Sequence, residues 1–355
     1  MQKIRSAIVV LPCQRLQENL EFFTDRLGFR LERISPADNP RSAEISGHGL
    51  RIELRVSSES PPATIRLTCD KDLGGDALPS SMIAPNGTRI EFAPVIPALD
   101  LPPIKEELVI SRREADAEAV VGRAGMRYRD LIPGRLGGRF IASHIQIPDG
   151  GEVPDFVHFH QVRFQMIFCV KGWVRVLYED QGEAMLLEAG DCFLQPPLIR
   201  HRVLESSEGL KVVEIACPAE HDTFIDHELE LPTAQFLPER DFEGQRFVHH
   251  RASVGRWIER EQTSFECRDL DIAAATAGLA SAQVLRVKAK REANQPWSHE
   301  GELLFLFVLD GQLELRGPAH QQLLLRTGDS ATLPSGSEFW PVQFSDELQL
   351  LEVKL

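Results

Sequence analysis

The sequence predicts a mainly β protein in which two copies of one β-rich fold follow a small α+β module. Glycine (25 residues) and proline (23 residues) separate many short apolar runs, a pattern typical of strands joined by turns. Short motifs in the middle of the chain recur 138 or 139 residues later, whereas the first 96 residues combine strand-like runs with one amphipathic helix. The predicted domains are 1–96, 97–238 and 239–355.

Composition and charge narrow the classes of partner. The chain has 39 basic and 53 acidic residues, and its net charge of −14 would repel nucleic-acid phosphates and anionic lipids. No apolar run reaches the roughly 18 residues of a membrane-spanning helix, and the first residues lack the apolar stretch of a signal peptide. The six cysteines form no CxxC pair. We therefore expect a cytoplasmic protein without a nucleic-acid or membrane partner.

The first 96 residues have the element order βαβββ followed by further strands. The predicted elements are a strand at Ile4–Leu11, a helix at Gln14–Leu27, and strands at Phe29–Ile34, Ser42–Ile45, Leu50–Val56, Thr64–Thr68 and Thr88–Ala93, the last after a turn at Pro85-Asn86-Gly87. In this order, and in the segments FFTDRLGFRLE and APNGTRIEFAP, the region resembles the vicinal oxygen chelate module of glyoxalase-type proteins.

That family often places metal-binding carboxylates at the strand positions held here by Glu53 and Glu91. No histidine accompanies them, so we expect both to be structural or exposed and the module to be non-catalytic. The sequence leaves open whether this module covers a barrel mouth or mediates a homodimer.

An internal duplication accounts for the rest of the chain. Matching segments are Arg129-Asp130-Leu131 with Arg268-Asp269-Leu270, Gly190-Asp191 with Gly328-Asp329, and Pro196 with Pro334. Because the offset is nearly constant over some 70 residues, we infer two copies of one fold, the second beginning near residue 240.

The first copy contains a candidate metal site. His158 and His160 are two positions apart, so on a strand both imidazoles point to the same side. Gln165 follows shortly after them, and His201 lies on a later strand. Imidazole suits Fe, Mn, Ni, Cu or Zn, and three convergent histidines leave coordination positions open for substrate. The sequence therefore predicts one divalent transition metal per chain.

Two segments around these histidines resemble the motifs of the cupin superfamily. GEVPDFVHFHQVRFQMIFCVKG is similar to G-x5-H-x-H-x3,4-E-x6-G, and GDCFLQPPLIRH is similar to G-x5-P-x-G-x2-H. The resemblance implies double-stranded β-helix barrels with the metal held by His158, His160 and His201, and the duplication is similar to that of bicupins. Gln165 stands where the family usually has Glu, and Leu198 replaces the motif glycine.

The glutamine changes the predicted charge of the site. A Glu ligand would leave a divalent metal with a net charge of +1, whereas three neutral imidazoles and an amide leave +2. Such a site favours an anionic ligand. Two roles stay open for Gln165: a direct ligand, or a hydrogen-bond partner of a metal-bound water.

The second copy lacks the corresponding ligands. By the offset, His158 becomes Trp297, His160 becomes His299, Gln165 becomes Leu304 and His201 becomes Phe339. A single histidine cannot hold a catalytic metal, so we expect a degenerate site in a barrel that serves as a scaffold.

Several other residues are candidates for the substrate pocket: His144, Gln146, Arg163, Phe164, Ile167 and Phe193. His144 and Gln146 share one face of a strand and would point either into the pocket or to solvent. Arg163 has the parity of Gln165 and could meet an anionic substrate. The remaining three would keep the pocket dry.

The predicted function is a non-haem Fe(II) dioxygenase that acts on a small anionic or chelating organic substrate. Mn, Ni, Zn or Cu are alternatives to Fe(II), and no general base can be identified. A redox-neutral lyase, isomerase or hydrolase is a second hypothesis. A non-catalytic cupin that binds a small molecule is a third.

Overall fold

The computed structural model describes residues 4–355 except 27, 48, 58–63, 70–80, 84–88, 95, 114–119, 122–125, 262 and 290–294. These residues form two compact units. The first comprises Met1–Asp100, Phe156–Gln161 and Glu220–Leu229, and the second comprises Leu101–Asp155, Val162–Ala219 and Glu230–Leu355. The predicted turn Pro85-Asn86-Gly87 lies outside the described residues.

The N-terminal segment forms one sheet with a short helix. Its elements are β1 Ile4–Cys13, α1 Leu16–Glu21 with a π-helical turn Phe22–Arg26, β2 Arg30–Ser35, β3 Ser42–Gly47, β4 Leu50–Val56, β5 Thr64–Cys69, β6 Ser81–Ile83 and β7 Arg89–Pro94. The strand order is β2-β3-β4-β1-β5-β7-β6, with β1 parallel to β4. Leu16 and Leu20 of α1 pack in one core with Ile45 and Leu54. The predicted strands are found, whereas the glyoxalase-like relationship stays a prediction.

Residues 101–230 contain the strands of the first barrel. They are β8 Val109–Ser111, β9 Val120–Val121, β10 Arg127–Asp130, β11 Ile141–Ile147, β12 Gly151–Glu152, β13 His158–His160, β14 Phe164–Lys171, β15 Trp173–Tyr178, β16 Met185–Glu188, β17 Cys192–Leu194, β18 His201–Ser206, β19 Leu210–Cys217 and β20 Thr223–Ile225, with a helical turn α2 at Arg135–Gly138. Within the first unit, β13 pairs with β20 and β20 with β2.

The second barrel occupies the remainder of the chain. Its elements are β21 Val248–His250, β22 Ile258–Glu259, β23 Phe265–Asp269, α3 Ile272–Ala275, β24 Ser281–Val287, β25 Leu304–Asp310, β26 Gln312–Arg316, a 3₁₀ turn Pro318–His320, β27 Gln322–Arg326, β28 Ser330–Thr332, β29 Trp340–Phe344 and β30 Gln349–Lys354.

Each barrel of the second unit combines a large sheet with a small one. The large sheets have the orders β21-β17-β14-β19-β11-β10-β9 and β22-β23-β24-β30-β25-β28-β8. The small sheets are β16-β15-β18, with β12 on β18, and β27-β26-β29. The mainly β fold class with tandem barrels is confirmed.

The two barrels exchange a strand with each other. β8 pairs with β28 of the second barrel, and β21 pairs with β17 of the first. Val109 and Val248 begin these strands, so the exchange obeys the 139-residue offset of the duplication. The predicted boundaries at 97 and 239 place each of these strands with one copy, while its hydrogen bonds join it to the sheet of the other.

Two arginines connect the barrels in the same reciprocal way. The Arg129 guanidinium donates to the Gly328 carbonyl at 2.8 Å, and that of Arg268 donates to the Gly190 carbonyl at 2.8 Å. An apolar core that includes Phe168 and Phe305 packs between the large sheets. Among the described residues, no helix is long and apolar enough to cross a membrane.

Candidate metal centre

His158 and His160 lie on β13 with their ring centroids 5.2 Å apart. Nδ1 of His158 is 2.8 Å from the Phe156 carbonyl oxygen, and Nδ1 of His160 is 2.9 Å from Oγ1 of Thr223. An imidazole that donates from Nδ1–H carries its lone pair on Nε2. Because a carbonyl oxygen only accepts, His158 donates from Nδ1 and presents Nε2 as a ligand atom. The Thr223 hydroxyl can accept or donate, and as an acceptor it orients His160 in the same way, as acceptors for the distal N–H do in metal sites.

His201 is the first residue of β18 and is prepared in the same way. Its Nδ1 lies 3.1 Å from the carbonyl oxygen of Ile199. The preceding turn contains Leu198 in the left-handed region, with a φ of 63°. Glycine adopts that conformation at no steric cost, which explains why the family motif has glycine at this position.

The three histidines form one cluster. Each offers one ligand nitrogen, and these atoms lie within 4.8 Å of one another. His158 is 2% exposed and His201 4% exposed. Clustered imidazoles, of which His158 and His201 are buried with Nδ1 held by a backbone carbonyl and His160 is partly buried, fit a transition-metal ion. No other such group of histidine, cysteine or acidic residues occurs in the part of the chain that the structure describes.

Gln165 lies on β14 and is 2% exposed. Its Nε2 donates to Oε1 of Glu214 on β19 at 2.5 Å. This bond fixes which end of the amide faces the carboxylate, so the carbonyl oxygen points another way. Coordination by that oxygen stays a prediction.

Sequence reasoning missed Glu214. Its signal is a single carboxylate within the apolar strand Leu210–Cys217, with Glu352 at the matching position of the second copy, 138 residues later. Tyr178 lies nearby. Burial, together with smaller contributions from Cys192 and Glu214, raises the pKa of Tyr178 well above its ordinary value, so the phenol stays protonated.

The structure places the predicted pocket residues in different parts of the molecule. Ile167 and Phe193 belong to an apolar cluster of the first barrel, and their place in a substrate pocket stays a prediction. Phe164 instead packs in the core between the large sheets, and the His144 ring stacks on Phe307 of the second barrel at 6.2 Å. Alternation along a strand is the reason: Phe164 is one residue from Gln165, so the two side chains point to opposite faces.

Gln146 shares the face of His144 and thus points away from the barrel interior. Arg163 binds a carboxylate of the protein itself, because its guanidinium donates to both oxygens of Glu302 at 3.0 and 2.9 Å. Arg139 reaches the same carboxylate. Burial alone would raise the pKa of Glu302, but the hydrogen bonds and charges of Arg139 and Arg163 outweigh it and lower that pKa.

Two further polar residues stand beside the histidines. Gln195 is 1% exposed, and its Nε2 lies 3.1 Å from Nε2 of His201. The half-buried His221 places its ring 5.4 Å from that of His160, edge to face. The sequence signal for Gln195 is its position directly before Pro196 of the second motif. We see no sequence signal for His221.

In the second barrel, core side chains occupy positions that correspond to those of the predicted metal ligands. Trp297 and Phe339 are buried in its interior core with Leu304. The Trp297 indole N–H donates to Oε2 of Glu352 at 2.5 Å. His299 engages the Leu333 carbonyl through Nε2 at 2.8 Å, the nitrogen opposite to the one that the first barrel's histidines use for such contacts.

No family model and no curated protein matches this chain. Solved structures do resemble it. Salicylate 1,2-dioxygenase from Pseudaminobacter salicylatoxidans shares 13% identity at a TM-score of 0.53, covering 72% of this chain and 86% of that chain. Oxalate decarboxylase from Lactobacillus farciminis, in a formate complex, shares 15% identity at a TM-score of 0.51, covering 72% and 89%.

Oxalate decarboxylase from Bacillus subtilis shares 12% identity at a TM-score of 0.50, covering 69% of this chain and 75% of that chain. At such identities the likeness concerns the fold alone. Together with the tandem barrels described above, it supports a bicupin fold, and the cluster of His158, His160 and His201 in this structure supports a divalent metal site.

Proposed function

We propose that this chain is a mononuclear non-haem Fe(II) dioxygenase that acts on a small anionic, chelating organic substrate. The observation that supports this most is the cluster of His158, His160 and His201, whose ligand nitrogens lie within 4.8 Å of one another. Three imidazoles coordinated from one side leave several positions for a bidentate substrate and O₂. A bound Fe(II) would supply these positions and the electrons that activate O₂.

The charge of the site favours an anionic substrate. The three imidazoles and the Gln165 amide are neutral donors, so they leave the charge of a divalent ion undiminished. Glu214 accepts from the Gln165 Nε2 at 2.5 Å and is not one of the predicted ligands. The donor set therefore attracts a carboxylate, enolate or catecholate more strongly than a site with a ligating Glu would.

The interior of the first barrel keeps the substrate from water. Ile167, Phe193 and Tyr178 belong to its apolar cluster, and Phe193 is fully buried. Apolar walls strengthen the electrostatic interactions of a bound anion and exclude competing hydrolysis. The neutral Tyr178 phenol is a hydrogen-bond donor rather than a base.

A redox-neutral reaction is the second candidate, and Glu214 favours it. A carboxylate held 2.5 Å from the Gln165 amide could take up or deliver a proton during C–C bond cleavage. Two of the structurally similar proteins are oxalate decarboxylases, whereas another is a dioxygenase. The two reaction classes differ in their use of O₂.

The experiment combines metal analysis with oxygen uptake. Protein purified anaerobically should contain about one iron per chain and should consume O₂ with at least one member of a panel of catechols, β-diketones and 2-hydroxy acids. The double variant His158→Ala, His201→Ala should lose both properties. Bound zinc without O₂ uptake on any panel member would contradict the dioxygenase proposal, and substrate turnover without O₂ would support the redox-neutral candidate.

A further inference from the structure

Gln195 is a buried amide with one polar atom that lacks a partner. The side chain is 1% exposed, and no hydrogen bond reaches its Oε1 among the described residues. Its Nε2 contacts Nε2 of His201 at 3.1 Å. Leaving a buried acceptor unsatisfied opposes folding, so such an atom requires an explanation.

The direction of the contact follows from the imidazole. Because Nδ1 of His201 lies 3.1 Å from the Ile199 carbonyl oxygen and donates to it, Nε2 carries the lone pair. The Gln195 NH₂ group must therefore donate to that lone pair. When a metal ion takes the lone pair, the NH₂ group loses its acceptor, and both ends of the amide then need partners.

The second barrel shows what the fold alone requires at this position. Leu333 occupies it: the Gln195 N–H donates to the Gln165 carbonyl, and the Leu333 N–H donates to the Leu304 carbonyl in the same way. Leu333 is 2% exposed and leaves no polar atom unsatisfied. A leucine therefore satisfies the packing, and the polar amide in the first barrel serves another purpose.

We propose that Gln195 positions the substrate beside His201 and selects a small acid that carries a hydroxyl group next to its carboxylate. The carboxylate accepts from the Gln195 NH₂, and the hydroxyl donates to the unpartnered Oε1. A simple carboxylate or a dicarboxylate dianion offers acceptors only and leaves Oε1 unsatisfied. This inference rests on the proposed metal-dependent function and narrows its substrate class to hydroxy acids.

The test measures binding of glycolate and acetate, which differ in the hydroxyl group alone. Titration calorimetry on the metal-loaded protein gives the ratio of the two affinities in wild type, in Gln195→Leu and in the control His299→Ala. Chelation by the metal contributes to this ratio in all three proteins, so only the change in the ratio reports on residue 195. Gln195→Met, which keeps the side-chain length, is a second variant in case the leucine variant does not fold.

We expect the preference for glycolate to fall about 3- to 10-fold in Gln195→Leu, the effect of one net hydrogen bond, and to stay unchanged in His299→Ala. Metal content should equal that of wild type in both variants. An unchanged preference, or loss of the metal from both Gln195 variants, would overturn this inference alone. A wild-type protein that binds no metal would instead overturn the proposed function and this inference with it.

Discussion

The two barrels share a backbone fold and differ in the side chains of their interiors. In both barrels, the strand that follows the HxH position keeps the same register with its neighbour: Ile167 of β14 opposes Glu214 of β19, and Leu306 of β25 opposes Glu352 of β30. The metal-facing positions nevertheless diverge, with His201 replaced by Phe339 and Gln195 by Leu333. The register of the sheets is therefore independent of the site, and the chemistry depends on a few side chains.

A glutamate that both barrels keep on the matching strand has different partners in the two barrels. Glu214 accepts from Gln165 in the first barrel, whereas Glu352 accepts from the Trp297 indole and from Gln283 in the second. Arg260 approaches Glu352 as well, at 3.4 Å. The second barrel thus satisfies its buried carboxylate with its own side chains, whereas in the first barrel the Gln195 carbonyl oxygen has no hydrogen-bond partner among the described residues.

The largest expected effect separates the barrels by their metal content. His201→Ala removes one of three ligands and should lower bound metal from about one ion per chain to near zero, because the remaining pair of imidazoles binds far more weakly. His299→Ala is the matched control in the second barrel and should retain the metal. Elemental analysis of both purified variants checks this, and equal metal contents would refute the assignment.

Replacing Trp297 with Phe tests the packing of the second barrel. The change removes the indole donor from Glu352, a buried carboxylate that is 1% exposed, so we expect a loss of about 3 kcal/mol in the free energy of unfolding. Urea denaturation measures it. The matched change His158→Phe should abolish metal binding with a smaller effect on the stability of the metal-free protein, and the reverse ranking would contradict the comparison.

The reciprocal arginines test whether the barrels are equivalent as structural supports. Arg129→Ala and Arg268→Ala each remove a guanidinium that donates to a carbonyl of the other barrel at 2.8 Å. We expect each to lower stability by about 2 kcal/mol, and by similar amounts. A several-fold difference between the two variants in chemical denaturation would show that the pseudo-symmetry does not extend to energetics.

Gln195→Leu gives the first barrel the residue that the second barrel has at the matching position, Leu333. The change removes a buried acceptor without a partner but also the donor to Nε2 of His201, so we expect the metal-free variant to lie within about 1 kcal/mol of metal-free wild type. Thermal denaturation in the presence of a chelator provides the comparison. A clear loss of stability would mean that the amide supports the fold.

The smallest effect concerns the ion pairs of Glu302 with Arg139 and Arg163. Since the pKa of Glu302 is lowered in the folded state, its stabilisation is present above the unfolded pKa and is lost as the pH falls through the folded value. Glu302→Gln should cost less than about 1 kcal/mol at pH 7, because the carboxylate is partly exposed. The difference from wild type should shrink as the pH falls through the folded pKa of Glu302 and vanish below it, and a difference that persists at the acid end of urea titrations would contradict this.

Sequence patterns identified the parts of the site that are local in the chain. The HxH spacing of His158 and His160, and the second motif ending at His201, predicted the cluster that the structure contains. The 138–139 offset predicted the absence of ligands from the second barrel. Both inferences depend on strand periodicity and on the comparison of two copies, and the absence of a metal from the second barrel stays a prediction.

The features that the sequence did not reveal depend on long-range pairing. Alternation shows that His144 and Gln146 share a face, but it does not show that this face meets the second barrel, where His144 stacks on Phe307. The exchanged strand β8 and the contact between Gln165 and Glu214, 49 residues apart, are likewise set by tertiary structure. Sequence periodicity shows which residues share a face of a strand, but it does not show which other element that face contacts.

The central claim, that the first barrel holds one metal and the second holds none, is tested most directly by anomalous X-ray diffraction at the absorption edge of the bound metal. We predict a single strong peak bonded to the Nε2 atoms of His158, His160 and His201, and no peak near Trp297 or His299. A first barrel without a peak in crystals of metal-loaded protein, or a peak inside the second barrel, would contradict the claim.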